Sequence, residues 1–382
     1  MKVVYVIDSL ANKGGAERII LNKMEYMATH FGYDMSIIAC YQNEQTPNFY
    51  PVPEQITQYK LAVPYYSQYK YHYPYRLLLK RRLRHQFCKR VKETVQAIDP
   101  DILIGVSYFG ADVVTSIPCR AKKLVEVHEP RPFTLSNYGL CRGRLSNWYM
   151  KHFRDWYFKR VEAQADLVVT LTPGDAHEWR KAKRVLVIPN FTVMPVERVS
   201  DVSAKRVIAA GRLEWVKGYD RLIPAWKIVS DKHPDWHLDI FGLGMREQDL
   251  KQQQESLGLQ ERMTIHPATS AIGKEYSASS IFALSSRFEG FGLVLLEAMQ
   301  CGLPCVAYDC PFGPAAIVKD GQNGFLVPEG DIEQLAEKLL VLIEDDDMRR
   351  RFSKAAVEHS KKFTADEIML QWKQLFEELT NA

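Results

Sequence analysis

The stretch SSRFEGFGLVLLEAMQCGLPCVAYD, residues 285–309, sets two carboxylates, Glu289 and Glu297, into a largely apolar run. Gly290 and Gly292 predict a tight turn that opens a helix, because glycine adopts backbone conformations that other residues avoid. Glu289 then falls in the loop after the strand-like run IFALSS, and Glu297 falls one turn inside the helix. Because helical side chains lean toward the N-terminus of their helix, both carboxylates are expected to face one small volume there.

Such a helix start favours a ligand that carries both phosphate and hydroxyl groups. Its free N–H groups and the positive end of the helix dipole attract anions. Carboxylates are poor phosphate ligands, but they accept hydrogen bonds from the hydroxyl groups of a sugar or a ribose. The combination suggests a nucleotide sugar. The alternative is structural: one glutamate in the first turn of a helix, and one partly buried glutamate that caps a neighbouring group.

Strand-like and helical segments alternate along the rest of the chain. Six strand-like runs lie in the first half: KVVYVIDSL, DMSIIACY, DILIGVSY, KKLVEVHE, DLVVTLT and RVLVIPN. Six more lie in the second half: KRVIAAGRL, WHLDIFG, MTIHP, IFALSS, PCVAYD and GFLVP. Near-continuous apolar strands separated by helices are typical of parallel sheets covered on both faces. The sequence therefore predicts an α/β fold with two doubly wound domains joined at about residues 191–204, and three helices after the last strand.

Composition and charge restrict the class of protein. The chain has 382 residues, 46% hydrophobic and 25% charged, and it contains no apolar run long enough to span a bilayer. Its start, MKVVYVIDSL, is expected to be a buried strand, and its seven cysteines without metal-ligand spacing predict reduced thiols and a cytoplasmic location. Residues 1–195 hold 28 Lys and Arg against 17 Asp and Glu, a net +11, whereas the remainder holds 22 against 29, a net −7. This asymmetry indicates two bodies with different partners.

The segment FEGFGLVLLEAMQCGLPCVAYD resembles the E-x7-E signature of the family-4 retaining glycosyltransferases, which have the GT-B fold. The similarity continues in GGAER, VHEP, AAGRLEWVKGYDRLI, IFGLGMREQDL and DGQNGFLVPEGD, and so covers most of the chain. It implies two Rossmann-like domains facing across a cleft. The expected parts are an acceptor-side domain over 1–195, a nucleotide-sugar-binding domain over 196–362, and a helix over 363–382 that crosses back to the first domain.

The resemblance also implies roles for single residues. Glu289 and the backbone after it would bind the donor sugar, and Glu297 would bind the ribose hydroxyls. The full donor-binding set is Gly242, Gly244, Glu289, Gly290, Phe291, Gly292, Leu293 and Glu297. Arg212 and Lys217 would neutralise the donor diphosphate, and His128 would touch the donor sugar and phosphate. With Glu289, these three make up the expected catalytic set. Gly14 and Gly15 open the first helix and resemble the loop that approaches donor phosphate and acceptor.

Each of these assignments has a structural alternative. Arg212 and Lys217 would be surface cations on a solvated loop, the glycines would be ordinary turn residues, and His128 would be a structural histidine at the end of a strand. The chain also departs from the family at Ala316, where many members carry a glutamate.

A basic, aromatic segment covers residues 64–92, PYYSQYKYHYPYRLLLKRRLRHQFCKRVK, and contains no acidic residue. The apolar residues from Leu79 to Val95 recur every four positions, at Leu79, Leu83, Phe87, Val91 and Val95, and predict a helix with one docked face. A second segment of this kind spans 148–160. An anionic membrane surface or a lipid diphosphate fits this composition best, with Arg81, Arg82 and Arg84 as contacts. The alternatives are solvated amphipathic helices, or nucleic-acid binding, which nothing in the second half supports.

Together these features predict a retaining transferase that moves a hexosyl or N-acetylhexosaminyl group from a UDP-linked sugar. The resemblance to enzymes of bacterial surface-polysaccharide assembly implies a lipid-linked saccharide acceptor and peripheral association with the cytoplasmic face of the membrane. No side chain is an obvious nucleophile, so attack on the front face, assisted by the leaving phosphate, is expected. The alternatives are a soluble transferase for a free sugar or small metabolite, and a membrane- or nucleic-acid-binding protein with a vestigial cleft.

No metal or other cofactor is expected. The acidic pair at Asp99 and Asp101 precedes a predicted strand, on the wrong side of the sheet for catalysis. The acidic run at 345–347 begins a predicted helix, where carboxylates stabilise the helix dipole.

Overall fold

A computed structural model describes residues 1–11, 14–72, 75–106, 110–131 and 144–381, with no side-chain placement for 144–151 and 153. The chain divides into two units: residues 1–188 with 369–382, and residues 189–368. The sequence places these two divisions at 195/196 and 362/363. The structure has them at 188/189 and 368/369.

The first unit is built on a parallel sheet in the order β3-β2-β1-β4-β5-β6-β7. Its strands are β1 (Lys2–Ile7), β2 (Asp34–Ala39), β3 (Ile56–Lys60), β4 (Ile102–Val106), β5 (Lys122–Glu126), β6 (Leu167–Thr170) and β7 (Val185–Val187). Its helices are α1 (Gly15–Phe31), α2 (Tyr75–Ile98), α3 (Ala111–Ser116), α4 (Arg144–Gln164) and α5 (Pro173–Ala176). The strand order reverses between β1 and β4, so the loops after these two strands meet at the switch point where ligands bind in open α/β sheets.

Strand β3, ITQYK, is absent from the strands predicted from sequence. It forms the edge of the sheet beside β2, and of its five residues only Ile56 is fully buried. An edge strand needs to hide little of its surface, so it can carry polar residues and lacks the apolar run that marks the inner strands.

The second unit contains a parallel sheet in the order β10-β9-β8-β11-β12-β13. Its strands are β8 (Arg206–Ala210), β9 (His237–Phe241), β10 (Met263–His266), β11 (Ile281–Leu284), β12 (Cys305–Asp309) and β13 (Gly324–Pro328). Its helices are α6 (Tyr219–Lys232), α7 (Glu247–Ser256), α8 (Ile272–Ser277), α9 (Leu293–Gln300), α10 (Pro314–Ile317), α11 (Ile332–Glu344) and α12 (Asp346–Ser360). All six strands and the helices after β13 confirm the sequence-based pattern. The switch point lies between β8 and β11, whose following loops carry most of the predicted site residues.

The last helix, α13 (Ala365–Asn381), belongs mainly to the first unit. Trp372 and Phe376 are fully buried, and the indole of Trp372 lies 4.5 Å from the Lys23 ammonium on α1. Near the end of the helix, Glu378 accepts two hydrogen bonds from the Arg184 guanidinium, at 2.6 and 2.9 Å. Residues far apart in sequence thus complete one core.

Candidate active site

Two predicted cations follow β8. Arg212 is exposed, and within the described part of the chain its guanidinium makes no ion pair. Lys217 ends a single turn of 3-10 helix, Trp215–Lys217, and is followed by Gly218 in the left-handed region, with φ of 64°. A Cβ at Gly218 would lie 2.0 Å from the Ser285 carbonyl oxygen, so this position requires glycine. The loop after β8 therefore approaches the loop after β11 backbone to backbone.

Lys217 and Glu289 meet at this approach. The Lys217 ammonium lies 2.6 Å from Glu289 Oε1, and the Ser286 hydroxyl donates to the same oxygen, also at 2.6 Å. Both charged side chains are mostly buried, 15% and 11% exposed. A cation that the resemblance assigns to the diphosphate and a carboxylate that it assigns to the sugar are therefore held together.

The backbone around Glu289 is shaped by the turn after β12. Glu289 forms an isolated parallel bridge with Phe312, which has an unusual positive φ of 79°. A Cβ on Gly313 would lie 2.6 Å from Glu289 Cβ and 2.8 Å from the Phe291 carbonyl oxygen. A positive φ at a bulky residue costs free energy and persists only where surrounding contacts impose it. The turn therefore fixes the path of residues 289–291.

Helix α9 begins as predicted, with Gly292 in the left-handed region, φ 92°, before Leu293. Glu297 is 5% exposed and lies one turn into the helix. Burial, together with the nearby Glu297 charge, raises the pKa of the Tyr276 hydroxyl. Glu289 instead contacts Lys217 and Ser286, so the two glutamates have different neighbours. Phe291 is itself buried, 3% exposed, so its ring belongs to the core of the unit.

Gly242 and Gly244 have a packing reason for lacking a side chain. A Cβ on Gly242 would lie 2.0 Å from the Gly211 carbonyl oxygen, and one on Gly244 would lie 2.3 Å from the Leu213 carbonyl oxygen. The Leu213 N–H also donates to the Leu243 carbonyl at 2.9 Å. These glycines let the loop after β9 pack directly on the loop after β8. Any contact with a nucleotide would be additional to that packing.

In the first unit, Gly14 and Gly15 stand at the start of α1. Gly14 precedes the helix with extended backbone, φ −110°, and Gly15 is its first residue. A Cβ on Gly14 would meet the Glu17 carboxylate at 1.8 Å, whereas one on Gly15 would have no atom within 4 Å among the described residues. Open space beside Gly15 is compatible with the approach of a ligand.

His128 follows β5 and is held from inside the unit. Its Nε2 lies 2.9 Å from Glu126 Oε1, and the Lys23 ammonium pairs with the same oxygen. Glu126 is fully buried. Burial alone would raise its pKa, but the charges of Lys23 and His128 hold the pKa well below the ordinary value for a glutamate. The Glu126 carboxylate thus lies beside the Nε2 edge of the imidazole.

Lys23, Glu126 and Ser286 are absent from the site residues predicted from sequence. A signal for the first two was available: Lys23 lies on the apolar face of α1 between Ile20 and Met24, and Glu126 lies inside the apolar strand β5. A charge within an otherwise buried run indicates an ion pair, because an unpaired charge is very costly to bury. Nothing in the sequence indicates that the two charges pair with each other.

The two acidic stretches that were weighed as metal sites, at Asp99–Asp101 and at 345–347, contain carboxylates with structural hydrogen bonds. Asp101 precedes β4 and accepts a hydrogen bond from the Lys2 N–H at 2.8 Å, and Asp345 caps α12 through the Met348 N–H. Among the described residues, no group of three or more His, Cys, Asp or Glu is placed to hold a metal ion.

The basic segment forms α2, docked as predicted through Leu83, Phe87, Val91 and Val95, with Leu79 only partly buried. Its cations are placed differently: Arg81 and Arg82 are exposed, whereas Arg84 pairs with the buried Asp112. Tyr73 and Pro74, and most side chains of the second segment over 148–153, lie outside the described residues. None of the helices that the structure describes is long and apolar enough to cross a membrane.

Comparison with known proteins agrees with this geometry. Residues 194–359 match the family model "Glycosyl transferases group 1". A Haemophilus influenzae protein named "uncharacterized glycosyltransferase" is 28% identical, covering 97% of this chain and 99% of its own. The amylovoran biosynthesis glycosyltransferase AmsD of Erwinia amylovora is 26% identical, over 98% and 99%.

Solved structures resemble the whole fold. Sucrose-phosphate synthase from Thermosynechococcus elongatus superposes with a TM-score of 0.80 at 18% identity, covering 99% of each chain. The Anabaena protein HepE, in complex with UDP-glucose, superposes with a TM-score of 0.74 at 20% identity, covering 99% of this chain and all of its own. Residues 194–359 are thus a glycosyl transferases group 1 domain, and the chain is a glycosyltransferase of the GT-B fold.

Proposed function

We propose that this glycosyltransferase moves a hexosyl or N-acetylhexosaminyl group from a UDP-linked sugar, with retention of anomeric configuration, to a lipid-linked saccharide in bacterial polysaccharide assembly. The observation that carries the donor half of this proposal is the Lys217–Glu289 pair. It stands at the carboxyl ends of β8 and β11, where the strand order reverses, beside the start of α9. Ligands of open parallel sheets bind at this place.

The pair offers chemistry for both parts of a nucleotide sugar. Lys217, with the guanidinium of Arg212, which makes no ion pair with the described residues, supplies positive charge for the departing diphosphate, which an enzyme without a metal ion needs. Glu289 and the N–H groups near Gly292 supply an acceptor and donors for sugar hydroxyls and phosphate. For Glu297 we propose a bond to the ribose, and for His128 the contact with the donor that the resemblance implies. No step then requires a metal ion or another cofactor.

The relatives support the choice of donor and pathway. HepE binds UDP-glucose, and AmsD is named for amylovoran biosynthesis. The acceptor proposal adds an observation from α2 and the turn before it. Among the described residues there, six large apolar side chains are exposed, from 39% to 63%: Tyr66, Tyr69, Tyr71, Tyr75, Leu77 and Leu78. Exposed Arg81 and Arg82 lie on the same helix, and aromatic residues beside cations suit the surface of an anionic membrane.

The donor assignment predicts that the two glutamates affect binding differently. Glu297→Gln should weaken the binding of UDP alone, because it removes the charge-assisted bond to the ribose. Glu289→Gln should leave UDP affinity within about threefold of wild type and mainly weaken the further gain from UDP-glucose or UDP-GlcNAc. Calorimetry with UDP and with each UDP-sugar, in excess EDTA, measures both. Equal losses in the two variants would contradict the assignment, and binding restored only by Mn²⁺ or Mg²⁺ would contradict metal independence.

The membrane proposal predicts that Arg81→Glu with Arg82→Glu abolishes sedimentation with vesicles containing phosphatidylglycerol at low salt. Each cation near such a surface contributes about 1 kcal/mol, and salt screens it. Arg84 is left intact in this variant because its loss would leave Asp112 buried and unpaired. Lys89→Glu with Lys92→Glu, farther along α2 from the exposed tyrosines, is the matched control. Wild-type protein that ignores these vesicles at low salt would refute the proposal, and the acceptor would then be soluble.

A further inference from the structure

The turn that carries Lys217 has little to hold it by itself. Trp215–Lys217 is a single 3-10 turn, and none of its three residues is fully buried. The Trp215 side chain is 53% exposed. A turn this short makes few hydrogen bonds of its own. The position of the Lys217 ammonium must therefore be imposed from outside the turn.

Three consecutive carbonyls of this turn accept hydrogen bonds from residues 285–287. The Ser285 hydroxyl donates to the Lys217 carbonyl at 3.0 Å, and the Arg287 N–H donates to the Val216 carbonyl at 2.8 Å. The Arg287 guanidinium donates to the Trp215 carbonyl at 2.6 Å and stacks on the indole, 4.5 Å from the ring centre. The same segment continues directly to Glu289. The turn is therefore fastened to the strand end that also positions the partner of Lys217.

Asp220, in the first turn of α6, in turn fixes the guanidinium. Its two carboxylate oxygens accept from the two terminal nitrogens of Arg287 at 2.9 and 2.6 Å, in a fork that lysine cannot reproduce. Arg287 is 10% exposed. Partial burial would raise the pKa of Asp220, but Arg287 holds this pKa below its ordinary value, so the carboxylate is ionised at neutral pH. The interaction therefore persists under the conditions of an assay.

We infer that Arg287, held by Asp220, is a positioning residue that sets Lys217 against the donor diphosphate. The inference rests on the proposed function of Lys217 and adds the device that places it. Arg287 is not required to touch the substrate. Its guanidinium is already engaged by the Trp215 carbonyl, the indole and Asp220, and its effect passes through the turn to Lys217.

A double-mutant cycle on UDP binding tests this. Lys217→Ala is expected to raise the Kd for UDP at least tenfold, and Arg287→Lys at least fivefold, because lysine keeps the charge but loses the fork. In the Lys217→Ala background, Arg287→Lys is expected to change the Kd by less than twofold. Losses that multiply in the double variant would mean that Arg287 acts independently, and an unchanged Kd in Arg287→Lys alone would remove it from the site.

Two controls keep the result free of folding defects. Arg262→Lys alters an arginine that also bonds a backbone carbonyl and an aspartate, Ser230 and Asp231, but precedes β10 at the opposite end of the sheet. It is expected to leave the Kd within twofold. Asp220→Asn keeps the shape of the carboxylate and is expected to reproduce the loss in Arg287→Lys.

A readout without nucleotide separates this inference from the proposed function. In Arg287→Lys, acetylation of Lys217 by acetic anhydride, followed by mass spectrometry, should become at least threefold faster, with the exposed Lys232 as the internal reference. An unchanged rate would overturn the positioning role. Failure of UDP to bind wild-type protein, with faster acetylation in the variant, would overturn the proposed donor and leave the mechanical coupling established.

Discussion

Lys217→Ala is expected to lower turnover of a UDP-sugar by a hundredfold or more. Removal of one fixed donor to a developing negative charge has about this effect in enzymes. Here the change also leaves Glu289, only 11% exposed, with no ammonium beside it, so a negative charge remains where the diphosphate departs. UDP release from UDP-glucose and UDP-GlcNAc measures the loss. The free energy of unfolding should fall by about 1–3 kcal/mol, the penalty for leaving a buried partner unpaired.

Arg212→Ala provides the comparison. A similar loss of turnover is expected, but stability should be unchanged, because Arg212 is exposed and makes no ion pair with the described residues. Lys232→Ala, at the exposed end of α6, is the control for loss of a cation in the same unit and should retain full turnover. If both Arg212→Ala and Lys217→Ala remained fully active, the diphosphate would be neutralised elsewhere and the proposed mechanism would be wrong.

The largest effect on stability is expected from Lys23→Met. This change would strand the Glu126 carboxylate, which is fully buried, beside His128. Breaking a buried ion pair by removing one partner costs about 3–5 kcal/mol. Urea unfolding should show that the free energy of unfolding of the first unit falls by this amount, whereas that of the second unit is unchanged.

The matching double variant, Lys23→Met with Glu126→Leu, should be more stable than Lys23→Met alone, because it removes the stranded charge along with its partner. Lys89→Met, which alters an exposed pair with Glu93 on α2, should change stability by less than about 1 kcal/mol.

The depressed pKa of Glu126 also fixes the sign of the pH dependence of stability. Its contribution is present above the ordinary glutamate pKa and is lost as the pH falls toward the depressed value. A Lys23→Met protein as stable as wild type would refute the assignment.

The inner strands of both sheets were predictable because burial on two faces demands an uninterrupted apolar run. Strand β3, at an edge of its sheet, was not, because ITQYK has one buried residue and no apolar run; β7, at the other edge, was predictable because its residues VLV are an apolar run. At the site, Gly292 and the start of α9 were predictable because glycines in the neighbouring sequence indicate a turn that opens a helix.

The ion pairs between residues far apart in the chain could not be predicted from the sequence. Lys217 meets Glu289 over 72 positions, Lys23 meets Glu126 over 103, and Arg287 meets Asp220 over 67. Each residue is marked by its type, but the partner is set by strand order, which places β8 beside β11 and β1 beside β4. Gly242 and Gly244 show the converse. A family role was available for them, yet packing of one loop on another already explains why they are glycines.

The position of Trp372 has a consequence for how the chain is made. Translation delivers residues 189–368 before residues 369–382, so all of the second unit is synthesised while the first still lacks most of its last helix. Until Trp372 emerges, the place that it occupies beside Lys23 stays uncovered. The unit that is synthesised first is therefore completed last. It is the unit that is most exposed to aggregation and to chaperones in the interval.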